Sequence, residues 1–153
     1  MDAFMREAFR EAQKGIESGD GGPFGAVIVK EGKIIARGHN EVVKHKDPTA
    51  HAEMVAIRNA SAFLNDFRLK GCTLYATGEP CPMCFSAIHW AHIDRVYYCN
   101  TKAQAAAIGF DDSLITEIIL GKKPDPVHFE HTPSQACETL FTQWYENPDK
   151  IPY

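Results

Sequence analysis

Residues 72–90 read CTLYATGEPCPMCFSAIHW. The first six, CTLYAT, carry the β-branched, aromatic and aliphatic mix of a strand. Glu79-Pro80 breaks that strand, and a short helix is predicted from there through about Trp90. A strand that turns directly into a helix is the building unit of an α/β sheet. Cys81 and Cys84 are three apart, so they share one side of the helix. They fall in its first turn, where the dipole and the free N–H groups favour thiolates.

The chain around this unit repeats the logic. Residues 24–30 (FGAVIVK) and 33–38 (KIIARG) read as strands joined by a tight Glu31-Gly32 turn, an antiparallel hairpin. Before them, Phe4, Ala8, Phe9 and Ala12 fall at helical spacing over residues 2–18, and the glycines of 19–22 stop that helix. Arg6, Arg10 and Lys14 on it alternate with Glu7, Glu11 and Glu17, the pattern of a solvated face. Asp47-Pro48-Thr49 opens a second helix, about 49–64, with Asp47 or Thr49 as its cap. Downstream, 95–100 (RVYYCN) is a fourth strand, 101–121 is helical but interrupted at Gly109, 127–131 is a short fifth strand, and 134–146 is a last helix before a tail ending at Tyr153. The expectation is a single three-layer α/β/α domain over residues 1–153 with a central five-stranded mixed sheet.

Composition narrows the function. The 153 residues are 44% hydrophobic and 24% charged, globular values for a chain able to bury a core without disulfides. Sixteen Lys+Arg against twenty Asp+Glu give −4, which argues against a nucleic-acid binder. No apolar run reaches the ~18 residues of a membrane span. The first stretch is amphipathic and partly acidic, unlike a signal peptide, so the chain is expected in a reducing cytoplasm. Five cysteines, an odd number, then point to metal or catalysis for some. Cys72, Cys99 and Cys137 sit in apolar segments and read as core cysteines.

The chemistry lies in Thr49-Ala50-His51-Ala52-Glu53 and Glu79-Pro80-Cys81-Pro82-Met83-Cys84. Two thiolates and a neutral imidazole balance the charge of Zn²⁺ and fill three of its four positions, leaving one for water, as catalytic zinc requires. Bound water then falls from a pKa of 15.7 to about 7. Glu53, two residues from His51, stands near the metal without binding it and can shuttle protons. A Cys-x-x-Cys redox pair leaves His51 and Glu53 unexplained. A structural zinc needs a fourth ligand, for which His45, His89 and His92 are available. His39, His128 and His131 carry no motif.

His-x-Glu followed by Pro-Cys-x-x-Cys is the signature of zinc deaminases, and the chain resembles the cytidine deaminase-like superfamily. The likeness runs from Gly21 to Tyr153, and it is nearest to short bacterial guanine deaminases. It rests on Gly22-Pro23-Phe24-Gly25-Ala26-Val27, Asn40, the two motifs, Trp90 and Gly109-Phe110-Asp111-Asp112. The resemblance implies hydrolysis of guanine to xanthine and ammonia, with zinc-hydroxide attack at C2 and Glu53 as proton shuttle. It implies substrate contacts from Phe24, Asn40, Ala52, Trp90, Asp112 and Tyr153. A carboxylate at Asp112 accepts from guanine N1–H and the 2-amino group, a pair adenine lacks; Asp111 and Asp112 are also helix caps by position. The resemblance further implies one zinc per subunit and a homodimer whose 147–153 tail crosses to the partner as a lid. Trp144 and Tyr145 suit such an interface. A tRNA adenosine deaminase, which needs basic surface for phosphates, a cytosine or cytidine deaminase, and a zinc-stabilised binding module remain alternatives.

Overall fold

The computed structural model describes residues 1–153. Side-chain alternation along β1 (Gly25–Lys30) sets the layers: Ala26 and Ile28 face one side, Val27 and Val29 the other, and all four are buried. A strand buried on both faces needs cover on both. α1 (Ala3–Ser18) covers one, packing Met5 and Ala8 on Val27 and Val29. α3 (Ala52–Leu64) and α4 (Pro82–Trp90) cover the other, where Ala52, Ala56, Ala60 and Ile88 meet Ala26, Ile28 and Leu74. The three expected layers are present.

The sheet has four strands. β2 (Lys33–His39) and β3 (Cys72–Gly78) both pair antiparallel with β1, and β4 (Arg95–Asn100) pairs parallel with β3, giving the order β2-β1-β3-β4. The fifth strand expected at 127–131 does not form. Asp125 instead accepts a hydrogen bond from the Val127 N–H at 2.8 Å, and Val127 and Phe129 are exposed. Alternation of Val and Phe with polar residues marks a strand only where an edge is within reach to pair it.

Helix boundaries follow local chemistry. Asp2 caps α1 by accepting from the N–H groups of Phe4 and Met5, and Gly19 ends it at φ 69°. α3 starts three residues later than expected: His51 takes the cap position, while Asp47 closes a turn on the Thr49 N–H at 2.8 Å. A one-turn helix absent from the sequence reading, α2 (Val42–His45), lies between β2 and α3. The 101–121 stretch splits at Gly109 into α5 (Lys102–Ala107) and α6 (Ser113–Ile119), and α7 (Gln135–Glu146) follows. Cys72 is buried as expected, but Cys99 and Cys137 are exposed. They sit on the edge strand and on α7, which has no buried residue. No helix is long and apolar enough to cross a membrane.

Two glycines let the helices seat on the sheet. A Cβ on Gly25 would stand 2.1 Å from the Ala8 carbonyl oxygen, and one on Gly38 would stand 2.7 Å from both the Ala52 oxygen and the Ala56 nitrogen. α3 therefore rests directly on β2, and its alanines complete the contact. Gly38→Ala is expected to cost about 1–3 kcal/mol by overpacking, read as a lower urea midpoint at unchanged m. An unchanged midpoint would show that α3 has room to lift.

Candidate metal centre and active site

β2 and β3 flank β1 and both run against it, so they point the same way and end at the same edge of the sheet. α3 and α4 follow these two strands, and their N-termini meet there. His51 precedes α3, and Cys81 caps α4, its Sγ accepting from the Cys84 N–H at 3.5 Å. His51 Nδ1 lies 3.5 Å from the Sγ of Cys81 and 3.5 Å from that of Cys84. A tetrahedral zinc with usual bond lengths separates a nitrogen from a sulfur ligand by about 3.6 Å, so the donors already stand at metal-binding separation. No fourth ligand joins these three. His45 instead bonds Glu41 at 2.9 Å, and His89 packs on Phe85 with ring centroids 4.6 Å apart.

The electrostatics fit a cation. The Cys81 thiol is lowered to about 4, first by the hydrogen bond from Cys84 and then by that from His51, against the effect of burial. Its thiolate in turn raises His51, and the bond to Cys81 together with burial raises Cys84. Two soft sulfurs and an imidazole converging on one point suit zinc and leave one coordination position open. Beside them, in the first turn of α3, Glu53 is buried and accepts from the Cys84 S–H at 3.4 Å. Burial pushes its carboxyl up. A buried carboxyl next to a donor set but outside it is placed for acid–base work.

A cavity of about 540 Å³ opens above His51, Glu53 and Cys81, a volume suited to a small ligand. Its aromatic wall is Phe24 with Phe110 edge-on, centroids 5.0 Å apart at 88°. Gly22 and Gly78 leave space for the Phe24 ring, since a Cβ on either would come within 3.2 Å of it. Asn40 is buried, and its Oδ1 accepts from the Val42 N–H at 3.0 Å, so the amide N–H groups remain available to the cavity. Asp111 accepts from the Ser113 N–H at 2.9 Å, which lowers its carboxyl. Asp112 occupies the cap position of α6 but makes no cap hydrogen bond. Both line the cavity, one carboxylate committed and the other free. Ala52 is buried beside His51 without lining the cavity.

Trp90 and Tyr153 are placed elsewhere. Within one chain neither lines the cavity. Trp90 ends α4, about 13 Å along the axis from Cys81. Tyr153 packs beside it with centroids 6.1 Å apart and against Phe67 at 6.0 Å, and Arg68 holds the Pro152 carbonyl at 3.1 Å. The sequence reading missed Phe110 as a wall, along with Val42, Val43, Glu79 and Lys102. Of these, Phe110 had a local signal, an aromatic after Gly109 in a segment already singled out.

The family model for the cytidine and deoxycytidylate deaminase zinc-binding region matches residues 1–100. The chain belongs to this family of zinc deaminases. Within it, the chain is a homologue of the guanine deaminase of Bacillus subtilis, 51% identical over 114 residues, 74% of this chain and 73% of that one. The crystal structure of guanine deaminase from the same organism matches with a TM-score of 0.93 at 42% identity, covering 100% of this chain and 99% of that one. A tRNA-specific adenosine deaminase of Aquifex aeolicus is 38% identical over 143 residues, 94% of this chain and 92% of that one. A solved structure in complex with 2,6-diaminopurine matches with a TM-score of 0.68 at 34% identity, over 72% of this chain and 61% of that one.

The protein as purified is expected to carry about one zinc per chain. Cys84→Ser should lose most of it, whereas Glu53→Gln should keep it, as read by elemental analysis. Equal loss in both variants would put Glu53 in the donor set.

Proposed function

We propose that this chain hydrolyses guanine to xanthine and ammonia, with Glu53 as the proton carrier. The observation that carries the reading is the free carboxylate of Asp112 in a cavity whose floor holds His51, Glu53 and Cys81. The guanine deaminase relative and the neighbour holding 2,6-diaminopurine support a purine in that space. Asp112 accepts from the N1–H and 2-amino donors of guanine. Asn40 offers its amide N–H groups to the acceptor edge, and Phe24 and Phe110 enclose the ring.

His51, Cys81 and Cys84 would hold the zinc, which when bound would make a water acidic near neutral pH. Glu53 carries both protons of that water. One goes to the ring nitrogen beside C2 as the C2–O bond forms. The other goes to the amine as the C2–N bond breaks, so ammonia leaves and xanthine remains. Burial suits Glu53 to this task, because a carboxylate with a raised pKa takes a proton more readily and holds it until the leaving group needs it.

The tRNA adenosine deaminase reading has less support. The chain is net −4, the cavity sets Glu79, Asp111 and Asp112 against Lys102, and α7 has no Lys or Arg. Such a surface opposes a phosphate backbone. Ammonia release by the zinc-loaded protein should appear with guanine and not with adenine, cytidine or an anticodon stem-loop, and Glu53→Gln should lower kcat by about 10²–10⁴-fold. Release from the stem-loop alone would overturn the reading.

The same proposal includes a homodimer completed by the C-terminal segment. Every side chain from 119 to 149 is exposed, including Phe141 at 83% and Tyr145 at 73% on α7. A helix of twelve residues is marginal without tertiary cover, and exposed Leu140, Phe141, Trp144 and Tyr145 on one such helix are the kind of surface that a partner covers. A second copy supplies the cover, with the 147–153 tail as its lid and Tyr153 at the partner's cavity. Light scattering should give a dimer, and removing 147–153 should raise KM or abolish turnover. A monomer at micromolar concentration would exclude this assembly.

A further inference from the structure

His39 carries no motif, and the mechanism above does not use it. Its side chain is only 12% exposed and is held at both ring nitrogens. Nδ1 lies 3.2 Å from Glu11 of α1, and Nε2 lies 2.7 Å from Asp20 in the turn between α1 and β1. Glu41 stands 3.8 Å from Nε2, and Lys14 stands 3.8 Å from Glu11. Both ring nitrogens are therefore engaged by carboxylate oxygens. Gly15 makes the room, since a Cβ there would come within 2.7 Å of the ring. Glu11, which the helical charge pattern assigned to a solvated face, is buried. A carboxylate in that position is kept by its partner.

Asp20 has a second contact. Its backbone carbonyl accepts from the N–H groups of Val43 and Lys44, at 3.0 and 2.9 Å, in the first turn of α2. Those N–H groups have no partner within the helix. The segment held in this way is a wall of the cavity, formed by Asn40, Val42 and Val43. His39 itself does not line the cavity, but it directly precedes Asn40. The ring thus ties the wall to α1 twice, once through its own backbone and once through Asp20.

We propose that His39 is a positioning residue for the bound ring. By clamping Asp20 against the end of β2, it fixes the wall that carries Asn40. The inference deepens the proposed function and rests on it for the identity of the ring. Two amides separate the two contacts. The glutamine amide nitrogen reaches the place of the histidine Nε2, so His39→Gln keeps the bond to Asp20. The asparagine nitrogen reaches the place of Nδ1, so His39→Asn keeps only the bond to Glu11.

His39→Asn is expected to raise the KM for guanine about ten-fold with kcat within about two-fold, the signature of lost positioning in the ground state and transition state alike. His39→Gln is expected to return KM to within about three-fold of the parent. Zinc content should be unchanged in both. Amide hydrogen exchange at Val43 and Lys44 should speed up in His39→Asn relative to Val55 of α3. That readout needs no substrate, so faster exchange in a protein that does not turn over guanine would sink the proposed function and leave the clamp standing. Should His39→Asn fail to fold, Asp20→Ala, which removes the carboxylate but keeps the backbone carbonyl contacts to α2, carries the same direction in KM and exchange. Equal KM in the Gln and Asn variants with unchanged exchange would overturn the clamp. So would a fall in kcat at unchanged KM, which would put the effect of His39 on the chemical step.

Discussion

Strand β1 lies between two neighbours that both run against it, and the site depends on that arrangement. Because β2 and β3 oppose β1, they are parallel to each other and finish at one edge of the sheet. The helices that follow them therefore begin side by side. A helix start presents free N–H groups and the positive end of a dipole. Here two such starts deliver an imidazole and two sulfurs to a common point, with the lowered Cys81 thiol as the resident anion. Gly38 lets α3 lie close on β2, and Ala52, Ala56 and Ala60 keep it there. A bulkier contact would lift His51 and Glu53 together, since both belong to the start of the same helix.

What the sequence made legible was local. The Cys-x-x-Cys pair, the His-x-Glu pair, the hairpin and the strand-to-helix turn are each written within ten or so residues, where spacing fixes which side chains share a face. Asp111 and Asp112 were legible as a pair at a helix start, one to bond the backbone and one to bind, with Asp112 favoured for binding by the resemblance; in the structure Asp111 takes the Ser113 N–H, and Asp112 holds the cap position without a cap bond. What stayed hidden was every relation across the chain. Residues 127–131 had the alternation of a strand, yet they pair with neither edge of the sheet, and Asp125 turns the chain there instead. Glu11 had the neighbours of a solvated residue, and only the arrival of His39, 28 positions on, buries it. Trp90 and Tyr153 met as an aromatic pair, but at the other end of α4 from the sulfurs.

The two faces of the sheet are unequally finished. On the α3 and α4 side eleven buried residues form one cluster, while the α1 side has a cluster of four. β4 is left largely exposed, with Tyr97 and Tyr98 at 44% and 47%. A parallel strand is ordinarily covered on both faces. An open strand edge and an unburied C-terminal helix in one molecule are matching deficits, and the dimer proposed above would answer both at once. Neither deficit shows in composition, because apolar residues count the same whether they lie in a core or wait for a partner.

The turn at Asn40 has a consequence for recognition. A free asparagine amide is ambidextrous, offering an acceptor on one side and donors on the other, and it flips to suit its guest. The bond from the Val42 N–H to its oxygen fixes which way round this amide sits and leaves its N–H groups as the ones without a partner in the protein. A carbonyl or a bare ring nitrogen meets a donor there, while an exocyclic amino group meets hydrogen against hydrogen. On the proposed function, a bond wholly inside the protein would thus bias the polarity of the ring edge that enters, before any reacting group has come into play.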